Sequence, residues 1–203
     1  VYNIYVYGIN FNMIIYTMYI NLNTKEYFMR YVVVSVVKGE AGNFNNNLRK
    51  EVYEKFNAKS SKLPAHFTIK SPFETDNIVQ LENTLDKFSK ENYSAPYKIK
   101  GYDHFDDRVI FMKVIMSKEG KILHDNLIDS MSSIDYINFD KLDGKNKIFH
   151  ITISSKKIKN IFNDLLNYVS YIPCDFNCNF DNICIYKWEN NTWVLHKEYL
   201  LKK

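Results

Sequence analysis

The chain has 203 residues, 46% of them hydrophobic and 25% charged, with only six Gly and four Pro. That balance excludes a disordered or low-complexity protein and gives enough apolar mass for one sizeable core or two small ones. The net charge of +4, with a sequence pI near 8.7, suits an anionic substrate but lacks the dense basic stripe of a dedicated duplex binder.

Residues 1–24 contain no charged side chain, and Asn3, Asn10, Asn12, Asn21 and Asn23 interrupt what would otherwise be an apolar run. A membrane span needs about 20 mostly apolar residues, so residues 1–28 read as a leader of unknown role and membrane attachment is not expected. The domain is expected to span 29–203, starting at Met29 with the buried strand Tyr31-Val32-Val33-Val34-Ser35-Val36-Val37. Leu48, Val52 and Phe56 at four-residue spacing predict a helix over 47–58. An extended segment over 62–70 follows, entered through Pro64. Asp76 is the expected N-cap of a helix running to about Lys90, with Ile78, Leu81, Leu85 and Phe88 on its buried side. Strands are predicted over 97–102 and 109–116 around a His104–Arg108 turn, then a helix over 118–131.

The second half repeats the plan, with an extended segment at 148–154, a helix over 156–168, and strands at 175–180, 183–188 and 193–200. Cys174, Phe176, Cys178 and Phe180 alternate with polar residues, which makes them one apolar strand face. Three cysteines, the third being Cys184, form no disulfide framework and match no zinc spacing, so a reducing, cytoplasmic setting is expected. Trp188 and Trp193 bracket an expected hairpin turn. The implied fold class is α+β: a bilobal pseudo-two-fold repeat of two small antiparallel sheets, flanked by helices, around a central cleft.

The two extended segments carry the chemistry. They read His66-Phe67-Thr68-Ile69 and His150-Ile151-Thr152-Ile153, and lie 84 residues apart. With five His and seven Thr in the chain, two such pairs arise by chance in roughly one shuffle in a hundred. On a strand, residues i and i+2 share a face, so each His lies beside its Thr while Phe67, Ile69, Ile151 and Ile153 point to the core. If the repeat brings the strands together, two imidazoles and two hydroxyls converge on a volume that fits a phosphate. One His can take a proton from the attacking oxygen and the other can protonate the leaving oxygen, while the Thr hydroxyls hold the non-bridging oxygens. Such a scheme requires no metal or cofactor, and no clustered carboxylates or thiolates suggest one.

These motifs resemble the signature of the two-histidine (2H) phosphoesterase superfamily, the group of 2′-5′ RNA ligase-like proteins and cyclic phosphodiesterases. The likeness runs from about Met29 to the C-terminus, and Lys70-Ser71-Pro72-Phe73 after the first motif is also similar to the family pattern. The resemblance implies a bilobal α+β fold and metal-free hydrolysis of 2′,3′-cyclic or 2′-5′ phosphate linkages, with His66, Thr68, His150 and Thr152 as catalytic residues. RNA ends, oligonucleotides or cyclic nucleotides are the implied substrates, and the chain is expected to be a monomer.

Lys70 and Ser154, four residues beyond each His, are candidate substrate-binding residues if the strands stay regular that far. Lys156, Lys157 and Lys159 are expected to open a helix beside the second motif, where cations and backbone N–H groups would favour an anion. Tyr102, Phe105 and Arg108 could stack on a base or simply pack. His104, His124 and His196 are read as structural. Two other function classes stay open: a non-catalytic RNA-end or nucleotide binding module using the same cleft, and a structural protein whose repeated strands merely pack.

Overall fold

The computed structural model of the chain describes residues 28–140 and 143–203; apart from Phe28, the expected leader lies outside the described residues. The elements in chain order are β1 (Met29–Val36), α1 (Gly39–Phe56), β2 (His66–Thr75), α2 (Val79–Glu91), β3 (Ala95–Phe105), β4 (Val109–Met116), α3 (Lys118–Met131), β5 (His150–Ser154), a 3-10 turn (Lys159–Ile161), α4 (Phe162–Ser170), β6 (Asp175–Phe180), β7 (Asn182–Glu189) and β8 (Thr192–Leu200).

Two four-stranded antiparallel sheets result, ordered β2-β1-β7-β8 and β5-β4-β3-β6. The two orders correspond strand for strand, with each motif strand at an edge. The lobes are not consecutive halves of the chain, however. The second sheet is contiguous, running from β3 to β6, and it is inserted between the β1-β2 and β7-β8 strands that together make the first.

The apolar periodicity explains the packing. α2 buries Leu81, Leu85 and Phe88 against β7 and β8, and α3 buries Leu123, Leu127 and Met131 against β3. Side chains of both sheets join these helices in one continuous core, including Val33, Phe67, Ile69, Ile99, Met112, Ile151 and Phe180. The opposite face of the first sheet carries a smaller cluster of Val32, Val34, Leu63, Cys184 and Tyr186.

Several element ends differ from expectation for local reasons. α1 begins eight residues early, at Gly39, because an Asn- and Gly-rich first turn still packs: a Cβ at Gly42 would stand 2.1 Å from the Val37 carbonyl oxygen, so glycine permits the close approach. It stops at Phe56, where Asn57 adopts φ 52° and its N–H caps the Tyr53 carbonyl. The N-cap position of α2 is Ile78, not Asp76, and Asn77 just before it accepts at Oδ1 from Val79 N at 3.1 Å. Trp188 and Trp193 pair across a turn in which Asn190 and Asn191 have φ of 48° and 60°, the signature of a type I′ hairpin.

Candidate active site

His66 opens β2 and His150 opens β5, each at the mouth of an edge strand. Cross-strand partners share a sheet face, so His66 opposite Val36 and Thr68 opposite Val34 stand on the face of the small apolar cluster. His150 lies opposite Lys113 and Thr152 opposite Phe111. All four motif side chains are half-buried, whereas Phe67, Ile69, Ile151 and Ile153 are sealed in the core. The motifs meet through the residues beside each His: the Phe67 and Phe149 rings contact edge to face, with centroids 5.7 Å apart.

The imidazoles are held identically. Nδ1 of His66 bonds the Pro64 carbonyl at 2.7 Å, and Nδ1 of His150 bonds the Ile148 carbonyl at 2.9 Å. A carbonyl can only accept, so each Nδ1 carries its proton and each Nε2 is left to exchange one. Burial pushes His66 down to about 4, aided by the charges of Arg49, His150 and Lys147 and opposed by the Pro64 bond. His150 is also lowered, by burial and by Lys147, against its bond to Ile148. Phe105 and Phe111 wall the second imidazole, with centroids 4.9 and 5.1 Å from His150.

Lys147, three residues before His150, escapes the sequence reading. It donates from Nζ to the Thr68 carbonyl, which sets an ammonium between the motifs. Burial lowers it to about 8, with Lys70 adding to the effect and Asp143 opposing it. Its loop shows no periodicity, so proximity to the motif was the only signal in the sequence.

Lys70 and Ser154 do not share the motif face, because neither strand stays regular. Pairing slips from Thr68↔Val34 to Lys70↔Val33, and from Thr152↔Phe111 to Ser154↔Ile110, so each strand carries a bulge at the same place, Ile69 and Ile153. Both following residues turn inward and are buried. Lys70 Nζ bonds Asp143 at 2.6 Å, and Asp143 also accepts from Ser71 N at 2.9 Å and from the Ser71 hydroxyl. Burial pushes the Asp143 carboxyl up, but these donors outweigh it and hold it down at about 2. Ser154 Oγ donates to the Lys59 carbonyl at 2.8 Å. Each residue thus fastens its own strand to the loop leading into the other motif.

The remaining candidates separate. Phe105 reaches His150, whereas Tyr102 packs against the core and Arg108 pairs with Asp106 in solvent. Lys156 and Lys157 open no helix: Lys156 bridges to Lys59, Lys157 has φ 59°, and Lys159 begins only the 3-10 turn. The other histidines stand apart. His104 bonds the Asp106 carbonyl, buried His124 packs on Phe149, and His196 bonds Glu82. Among the described residues no group of three or more His, Cys, Asp or Glu could hold a metal ion, and no helix is long and apolar enough to cross a membrane.

Comparison with known proteins identifies a family and a fold. A family model described as the 2′-5′ RNA ligase superfamily matches residues 39–192. A protein of Geobacillus sp. (strain WCH70), whose name marks phosphoesterase activity as inferred, is 23% identical over 180 residues, covering 85% of this chain and 96% of the relative. Among solved structures, TT0787 of Thermus thermophilus superimposes with a TM-score of 0.60 at 11% identity, over 86% of this chain and 98% of that one. E. coli LigT complexed with 3′-AMP gives 0.57 at 12% identity, over 87% and 99%.

Proposed function

This chain belongs to the 2′-5′ RNA ligase superfamily, and from that membership and the paired imidazoles we propose that it is a phosphodiesterase using His66 and His150 as general base and acid on 2′,3′-cyclic phosphate or 2′-5′ linked RNA. The observation that carries the reading is the matched pair of Nδ1-tethered rings, each with Nε2 free, on strands joined at Phe67 and Phe149.

For a 2′,3′-cyclic phosphate, water attacks phosphorus while one Nε2 removes its proton. The P–O bond to one ribose oxygen breaks, and the other Nε2–H protonates that oxygen, leaving a phosphomonoester. The Thr68 and Thr152 hydroxyls donate to the non-bridging oxygens, and Lys147 supplies positive charge beside them. Burial depresses both imidazoles, with Lys147 lowering both and Arg49 acting on His66 in addition. A bound phosphate restores protonation of the acid by adding negative charge beside it.

The test is turnover of 2′,3′-cyclic nucleotides and of short 2′-5′ linked oligonucleotides in the presence of EDTA. Turnover by the intact chain, and its fall by about 10²–10⁴-fold in His66→Ala and in His150→Ala, is expected. Tight binding without turnover would instead make the cleft a binding module.

A further inference from the structure

Building on that reading of the site, we propose that a groove between α1 and segment 58–64 holds the single-stranded RNA flanking the reacting phosphate, so that the preferred substrate is an oligonucleotide and not a mononucleotide. The groove encloses about 550 Å³, and Arg49, Lys50, Lys59 and Lys62 are among its walls without a carboxylate. Lys50 and Tyr53, three residues apart, lie along one face of α1. Tyr53 is 49% exposed, and the Lys59 ammonium lies 5.6 Å from its ring centroid. An open aromatic face among cations is the arrangement that accepts unpaired bases and their backbone.

Arg49 builds the groove. Its guanidinium donates to the Ser60 hydroxyl at 2.6 Å, to the Leu63 carbonyl at 2.8 Å and to the Ser61 carbonyl, which fixes the wall. Lys50 makes one loose pair with Glu54, at 3.8 Å with both side chains mostly exposed, which an RNA phosphate can displace. Residues lining the groove bond to both motif strands. Pro64 ends it, and the Pro64 carbonyl is the acceptor that tethers His66. The Lys59 carbonyl accepts from Ser154 Oγ and, at 2.9 Å, from Ser155 N at the end of β5. A strand lying in the groove therefore delivers its end to the two imidazoles.

The experiment compares two substrates with the same reacting group: 2′,3′-cyclic AMP, and an oligoadenylate of about eight nucleotides ending in a 2′,3′-cyclic phosphate. The intact chain is expected to show a KM for the oligonucleotide lower by about 10-fold or more, and Lys50→Glu/Lys59→Glu to raise that KM by a similar factor. The slope of log KM against log salt should shrink by about 1.4, the share of two phosphate contacts on a single strand. Tyr53→Ala should also raise the oligonucleotide KM, and all these variants should keep kcat/KM for cyclic AMP within about two-fold, since none touches the reacting group. Equal KM values for both substrates, or variants that shift both alike, would overturn the groove. Should neither substrate turn over, the catalytic reading falls, but anisotropy of a fluorescein-labelled oligoadenylate still decides the groove: binding weakened by Lys50→Glu/Lys59→Glu supports it, and unchanged binding overturns it.

Discussion

At the scale of single residues, the site is an arrangement of charge around two neutral rings. Burial lowers both imidazoles, and Lys147, charged until pH rises through about 8, lowers them further. A base must be deprotonated and an acid protonated, so kcat/KM should form a bell between the two lowered values, with its optimum below pH 6.5. In the bound state an anionic phosphate stabilises both imidazoliums, so the kcat profile should lie to the alkaline side of the kcat/KM profile. Lys147→Met removes the shared cation: both limbs should move up, and KM should rise about 10–100-fold for loss of one charged hydrogen bond. Stopped assays across pH 4–9 check this; an optimum above pH 7 in the intact chain would contradict it. That His66 with Thr68 and His150 with Thr152 would stand on matching strands was legible from residue type and spacing alone. Lys147 was not, because a lone cation in an aperiodic loop looks like any other surface lysine until the fold brings it to Thr68.

At the scale of elements, the informative feature is the bulge repeated after each motif. Strand period alone places Lys70 and Ser154 beside their histidines, but one extra residue per strand reverses the facing, and no sequence rule announces a bulge at an isoleucine. The reversal turns both side chains into clasps between the lobes. Lys70 and Asp143 have side chains only 6% and 2% exposed, so Lys70→Met would strand a buried carboxylate and should destabilise the chain by about 3–5 kcal/mol. Lys70→Met/Asp143→Leu should recover most of that loss, because it removes both desolvated charges. Urea denaturation of the two variants reads the difference; equal stability would mean that Asp143 is satisfied without Lys70. The helix expected at Lys156 fails for a related reason. Pairing of Lys156 with Lys59 draws the chain into an extended bridge, and helical geometry resumes only after the left-handed Lys157.

At the scale of the whole molecule, sequence periodicity revealed two similar lobes but not that one is inserted within the other. Strand and helix patterns are local, whereas the placement of β7 beside β1 depends on pairings such as Val34↔Cys184, far apart in the chain. Insertion of one lobe within the other ties them together covalently and through one core, with Phe67 packed against Tyr97, Phe149 and Phe180 at centroid distances of 5.7, 5.7 and 5.1 Å. The two sheets are therefore joined by packed aromatic rings, which suits the proposed reaction, since it needs two proton carriers at fixed separation. If His66 and His150 serve one transition state, they must behave as a unit. The most direct test is a double-mutant cycle on 2′,3′-cyclic phosphate hydrolysis with His66→Ala, His150→Ala and the pair together. Each single change should remove nearly all the rate that the double change removes; independent losses that simply multiply in the double variant would contradict a shared phosphate.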